Sequence, residues 1–155
     1  IPVPLGNSLG GGFLGGVGRS LGINDYHEMS RLASEGKPLN IYVKDKLPDL
    51  EGTVVGEYVV AHFSKAEKDS RPEDVLATAI DIVSVTTIKD LALLSHSSKL
   101  FKWTKNVIYI GSTVSEFPSL RESLENYSSG MLGKKTHFPE NGEFALAIGA
   151  YYMQE

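Results

Sequence analysis

Residues 106–113 read NVIYIGST, an almost wholly apolar run that ends in a glycine and two hydroxyl side chains. A run of this kind is expected of a β-strand buried on both faces, and such strands belong to α/β sheets covered by helices. Ile108 to Ile110 then lie in a central sheet, and Gly111, Ser112 and Thr113 fall at the carboxyl end of the strand, where α/β folds place their ligands. The flanking segments fit that scheme. Ser70-Arg71-Pro72-Glu73 spells a capping box with proline in the first turn, and Leu76, Ala79, Ile80, Val83, Ile88, Leu91 and Ala92 extend it as one long helix to about Ser95. Its β-branched centre, IVSVTTI, is its weakest part. Downstream, SEFPSLRESLENY reads as a helix with Leu120, Leu124 and Tyr127 in one stripe and Arg121 and Glu125 as an i, i+4 pair. Leu120 and Leu124 are expected to pack on their own sheet, and Tyr127, at the frayed end, to be poorly covered by its own domain. KKTHFP reads as a short strand and NGEFALAIGAYYM as a last helix. Ala145, Ala147, Gly149 and Ala150 keep that helix small-sided, for close packing or for a ligand.

The amino-terminal end poses a different question, because eight glycines lie between Gly6 and Gly22. Phe13, Leu14, Val17 and Leu21 have helical spacing, with Gly15, Gly16 and Gly18 between them. Glycine inside a helix costs about 1 kcal/mol relative to alanine, so the cluster implies close approach of another backbone, a side chain or a ligand. Gly10-Gly11-Gly12 at the helix start fits two readings, amide groups offered to a phosphate or plain packing. No Gly-Lys-Ser/Thr follows, so this is not a Walker A loop, and no clear βαβ unit precedes it. Next, Asn24 or Asp25 caps a second helix, YHEMSRLASEG, with Tyr26, Met29, Leu32 and Ala33 on one face and Gly36 as its stop. Residues 37–57 are broken by prolines and glycines, with strand-like pieces at LNIYV and TVV.

Composition narrows the function classes. The chain has 155 residues, 41% of them hydrophobic and 22% charged, with a net charge of −4. These values suit one globular domain and give no basic footprint for nucleic acid. Lys134 and Lys135 read as solvated surface. No apolar run reaches the roughly 20 residues of a membrane span, so a soluble protein is expected, and the absence of cysteine fits a cytoplasmic home. With no cysteine, disulfides, thiolate catalysis and cysteine-bound metals are excluded. His27, His62, His96 and His137 have no metal-ligand spacing, no serine lies in a GxSxG elbow, and Glu140 and Glu143 have no evident partner. No metal ligand and no catalytic base is identified. The opening Ile-Pro-Val-Pro, without an initiating methionine, is expected of a chain cut from something longer.

In order, the segments LGNSLGGGFLGGVGRSLG, MSRLASEGK, GEYVVAHFS, NVIYIGSTVSEFPSLRESLENY and ENGEFALAIGAYYMQE resemble the carboxyl-terminal half of the type II pantothenate kinases. That family lies within the acetate and sugar kinase, Hsp70 and actin superfamily. The match runs almost end to end, and YIGS and the ENG-x-x-x-AIGA tail are its most specific parts.

The resemblance implies an α/β, actin-like (ribonuclease H-like) lobe with a mixed sheet covered by helices, in which residues 1–155 form one carboxyl-terminal lobe. It implies an enzyme that phosphorylates pantothenate with ATP and magnesium, the first step towards coenzyme A. Asn7, Ser8, Gly10, Gly11 and Gly12 inherit the phosphate-binding turn, and Gly111, Ser112 and Thr113 the strand-end turn beside the nucleotide. Tyr127 aligns with a tyrosine that crosses a homodimer interface towards the partner's pantothenate site. The amino-terminal lobe, with the first phosphate motif and the acidic residue that activates the pantothenate hydroxyl, lies outside this chain, so the chain needs that lobe or a complementary chain as its partner. Several positions depart from the family. Val3 and Pro4 stand where an arginine is usual, Leu5-Gly6-Asn7 replaces Gly-Gly-Thr, Phe63-Ser64 replaces Phe-Gly, and TTIK at Thr86 to Lys89 replaces Asn-Asn-Ile-Gly. A noncatalytic regulatory or dimerisation lobe is the alternative that these departures allow.

Overall fold

The computed structural model describes residues 7–97 and 103–153. The expected extended opening, with Val3, Pro4, Leu5 and Gly6, lies outside the described residues. In chain order the elements are α1 (Gly11–Ser20), α2 (Tyr26–Glu35), β1 (Ile41–Tyr42), β2 (Val59–Ala61) and α3 (Pro72–Ser97). They continue with β3 (Asn106–Ile108), α4 (Ser112–Glu116), α5 (Pro118–Leu132), β4 (Lys135–His137) and α6 (Ala145–Tyr152). β1 pairs antiparallel with β2, and β3 pairs parallel with β4 in the register Val107 to Thr136. The architecture is α/β, with two small sheets beside a larger helical layer. Among the described residues no helix is long and apolar enough to cross a membrane.

Local chemistry accounts for most of these boundaries. Asp25 accepts the Glu28 amide at 2.8 Å and starts α2, a cap worth about 1 kcal/mol. Pro118 opens α5 at a position where no amide is needed, and Gly133 ends it in the left-handed conformation, φ +60°. Phe117, between α4 and α5, breaks the single helix expected from Ser115 to Tyr127. The core lies where α1, α2, α3 and α5 meet, around Leu14, Met29, Leu76, Ile88, Phe117 and Leu120. Despite its β-branched centre, α3 is one unbroken helix of 26 residues, because its middle is packed from several sides.

Several expectations change. Ser70 does not cap α3: its hydroxyl accepts the Glu67 amide at 2.7 Å, while the amides of Asp74 and Val75 bond to the Arg71 carbonyl. The piece TVV is a turn with Val54 and Val55 exposed, and the strand in this region is Val59–Ala61. Lys134 is not solvated surface. It is buried, and its Nζ donates to the Thr104 carbonyl at 2.6 Å. β3 is covered on one face only. Val107 is buried and Tyr109 stacks on Phe138 with ring centres 5.6 Å apart, whereas Ile108 is 64% exposed. Among the described residues β4 is its only neighbour, and α6, with Leu146 80% exposed, leaves the other face open.

The interior glycines are explained by close approach. A Cβ on Gly15 would meet Tyr26, and one on Gly18 would strike Met29, so α1 and α2 touch through these positions. Gly36 ends α2 in an extended, not left-handed, conformation, and a Cβ there would run into the Glu73 carbonyl of α3. Backbone cannot yield as a side-chain tip can. Gly36→Ala is therefore expected to cost roughly 1–3 kcal/mol by overpacking. Gly16, with open space around it, should tolerate alanine and gain roughly 0.5–1 kcal/mol. Urea unfolding of the two variants checks both signs.

Candidate functional site

Two turns far apart in the chain meet in the fold. Gly11 and Gly12 open α1, Ser112 and Thr113 open α4, and together with Tyr26, His27 and Glu116 they line a cleft of about 490 Å³. The two turns are in contact, since a Cβ on Gly11 would fall on Thr113 Oγ1. The first amides of α1 have no partner within the helix, and the positive end of its dipole lies at the cleft. Tyr26 Oη donates to the Gly11 carbonyl at 2.9 Å, which braces the glycine turn from α2. Beside it, His27 Nδ1 lies 3.1 Å from Glu116 Oε2. The cleft thus offers amides, hydroxyls, one imidazole and one carboxylate.

The other expected residues sit around this cleft or away from it. Gly10 is the extended residue before α1, and no protein atom crowds its Cβ position. Gly111, φ +121°, makes the turn from β3 into α4 in a conformation that side chains rarely adopt. Asn7 does not line the cleft. Its Oδ1 accepts the Leu9 amide at 3.0 Å and its Nδ2 donates to Asp90 Oδ2 at 2.7 Å, tying the segment to α3. Ser8 is exposed beside it. Glu143, read as unpartnered, accepts the Ser115 hydroxyl at 2.8 Å, and hydrogen bonds from its own amide and from Ser115 lower its pKa.

Tyr127 belongs to a second region. It lines an open groove of about 620 Å³ between residues 52–57 and the α5 side chains Glu122 and Asn126. The expectation that its own chain covers it poorly needs correction, because the ring is half-buried against the core and its hydroxyl donates to Asp81 Oδ1 at 3.1 Å. Arg121 likewise turns from the expected pair with Glu125 and donates to the Ser115 carbonyl at 2.5 Å. Asp81 is a buried carboxylate on α3. Asn40 Nδ2, itself fully buried, donates to its Oδ2 at 2.5 Å, and Tyr42 Oη stands at 3.5 Å. Burial raises the Asp81 pKa above the usual carboxylate range, against the opposing effect of these hydrogen bonds. Burial, with the Asp81 charge second, pushes Tyr42 up to about 12. The Tyr127 hydroxyl is raised by the same two causes in the same order.

Sequence reasoning missed Tyr26, His27 and Glu116 at the cleft and Asp81 and Asn40 beneath Tyr127. The one available signal was a lone aspartate in an otherwise apolar helix face, LATAIDIV.

These features define an α/β protein with a glycine-turn cleft at the ends of a strand and a helix. Comparison with known proteins gives its relatives. Along 155 residues the chain is 32% identical to a type II pantothenate kinase of Staphylococcus haemolyticus, covering 96% of this chain and 56% of that protein. A type II pantothenate kinase of Staphylococcus epidermidis is 33% identical, with 57% of its length covered, and one of Staphylococcus aureus 31% identical over 157 residues. No family model matches the chain. The chain is a relative of the type II pantothenate kinases along almost its whole length, and it spans about half the length of the curated relatives it matches.

The buried carboxylate supplies a test that needs no ligand. A raised native pKa means that the folded chain holds the Asp81 proton more tightly than the unfolded chain does. Stability is then fullest below the unfolded pKa and falls as pH rises through the raised native value. Asp81→Asn keeps the shape and removes the titration. Urea unfolding from acid to neutral pH should show the variant gaining on the wild type as pH rises.

Proposed function

We propose that this chain is the carboxyl-terminal, ATP-binding and dimerising portion of a cytoplasmic pantothenate kinase. Its reaction is the ATP-dependent phosphorylation of pantothenate to 4′-phosphopantothenate, the first step of coenzyme A biosynthesis. The observation that carries this reading is the meeting of Gly11 and Gly12 with Ser112 and Thr113 in one cleft, in a chain 32% identical to a type II pantothenate kinase over almost all of its length. On this reading the fold is an actin-like lobe.

Phosphoryl transfer consists mostly of positioning and of electrostatic stabilisation of the phosphates. The amides of Gly11 and Gly12 are suited to phosphate oxygens, because no side chain stands between backbone and ligand and the helix end is positive. The Ser112 and Thr113 hydroxyls add donors from the opposite wall. Tyr26 holds the Gly11 carbonyl and so keeps the turn in shape when the phosphates leave. Magnesium enters with the triphosphate and needs few protein ligands. Glu116 is the carboxylate on the cleft wall. The base for the pantothenate hydroxyl belongs to the amino-terminal lobe.

Pantothenate-dependent ADP release by the protein from its complete reading frame tests the reaction. Silence with pantothenate and its analogues favours a noncatalytic lobe. Gly12→Val is the cleaner probe of the cleft, because no protein atom lies within 4 Å of its Cβ position, whereas bulk at Gly11 would also strike Thr113. ATP affinity should fall roughly tenfold or more, about 1.4 kcal/mol, with unfolding free energy changed by less than about 0.5 kcal/mol. Unchanged affinity would return the glycines to a packing role.

The half-buried Tyr127 ring lines an open groove, and an amphipathic ring at such a place suits an interface. The proposed homodimer buries it against the partner, near the partner's pantothenate. Sedimentation should show a dimer at micromolar concentration that Tyr127→Ala weakens. A monomeric wild type refutes the dimer.

A further inference from the structure

We infer that Glu116, held by His27, selects the sugar of the nucleotide: its carboxylate accepts hydrogen bonds from the ribose hydroxyls, so the cleft prefers a ribonucleoside triphosphate to one without the vicinal diol. This rests on the reading that the cleft binds ATP and deepens it by naming the residue that recognises the nucleoside.

Charge distinguishes the two ends of the cleft. Among the described residues that line it there is no lysine or arginine, so the groups suited to phosphate oxygens are the Gly11 and Gly12 amides and the Ser112 and Thr113 hydroxyls. Glu116 lines the same cleft. A carboxylate accepts hydrogen bonds and repels a phosphate, so its partner on the ligand is an uncharged donor.

Spacing selects that donor. Glu116 follows Thr113 by three residues in α4, a step of roughly 5 Å along the helix. One sugar unit covers such a step from the phosphates. The ribose hydroxyls therefore come to Glu116, and the amino edge of the base lies further out.

The carboxylate is also held in place, as a selecting group must be. The Glu116 carbonyl accepts the Ser30 hydroxyl at 2.6 Å, and the next residue, Phe117, is buried with its ring edge-on to Tyr26 at 6.0 Å between centres. His27 Nδ1 lies 3.1 Å from Glu116 Oε2. Since a carboxylate does not donate, that nitrogen carries the proton, and the bond engages Oε2 and leaves Oε1 for the ligand. From adjacent positions at its capped start, α2 thus supplies Tyr26 to the glycine turn and His27 to the carboxylate. The pair is open to solvent, with the His27 side chain 82% exposed and that of Glu116 39%. Exposed pairs add little to stability, so variants at either position should keep the fold.

Calorimetric titration of the protein from its complete reading frame with ATP, 2′,3′-dideoxyATP and GTP, at fixed magnesium, tests this. The wild type should bind ATP roughly tenfold or more tighter than dideoxyATP, as expected for hydrogen bonds to a charged group. Glu116→Ala should weaken ATP to the dideoxyATP level while leaving dideoxyATP affinity unchanged. His27→Ala should lose part of the preference, and His27→Asn, which keeps a side-chain donor, should restore some of it. Equal binding of ATP and dideoxyATP by the wild type overturns this inference and leaves the ATP cleft standing. A Glu116→Ala variant that weakens both ligands equally overturns it in favour of a magnesium ligand. One that loses instead a preference for ATP over GTP overturns it in favour of base recognition. Absence of ATP binding overturns the cleft reading and this inference with it. Sugar preference without pantothenate-dependent ADP release keeps the inference and removes the kinase reading.

Discussion

The structure depends on burying α3 from several sides while giving its buried Thr78, Asp81 and Ser84 hydrogen-bond partners. From Leu76 to Ser84 the helix is buried almost continuously, with Thr78, Asp81 and Ser84 among the apolar residues. An unpaired polar group there costs roughly 1–3 kcal/mol, so each hydroxyl or carboxylate must meet a partner on a neighbouring element. Thr78 Oγ1 accepts the Leu39 amide at 2.7 Å and donates to the Asp74 carbonyl at 2.7 Å. Ser84 pairs with Ser123 of α5 at 2.7 Å, and Asp81 gathers Asn40 and Tyr127. These bonds set the angular position of α3 against its neighbours. Apolar packing alone is less directional.

From that helix the geometry spreads outward through small residues. Gly36 lets the end of α2 lie on the first turn of α3, and Gly15 and Gly18 let α1 lie close on α2. With α1 so placed, its amino-terminal turn reaches α4, and the cleft follows from packing distances set elsewhere. Ser30 of α2 donates to the Glu116 carbonyl at 2.6 Å, so the helix that braces the glycine turn also holds the far wall. The Asp81 network does the same for the groove, because it fixes Tyr127 by its hydroxyl and leaves the ring as the feature facing outward.

Much of the fold was legible in local pattern. A cap for α2 at Asn24 or Asp25, Met29, Leu32 and Ala33 as its inner face, the long α3 helix, Leu120 and Leu124 as core, and the strands near residues 106 and 135 all follow from periodicity and turn chemistry. The failures share one cause. Ser70, Lys134, Arg121 and Glu143 were read from their neighbours in sequence, and each takes a partner that local spacing cannot supply or forgoes the one it suggests. Of the cleft, the glycines and the Gly111-Ser112-Thr113 turn were readable because missing side chains and hydroxyls mark them; Tyr26, His27 and Glu116 were not, since each has an ordinary place in its own helix.

By itself the sequence determined most of the helices, the strands near residues 106 and 135, where α1 begins and that glycine had to occupy the helix interior, because these depend on backbone entropy, side-chain period and absent Cβ atoms. Its order of motifs also determined the kinship with the type II pantothenate kinases. Only the tertiary structure decided that the glycine turn and Thr113 touch, that Tyr127 spends its hydroxyl on Asp81, and that β3 and α6 keep an apolar face uncovered. Contact between residues about a hundred positions apart depends on how helices pack in three dimensions, and burial depends on what lies on the other side. Neither is a property of a residue and its neighbours in the chain.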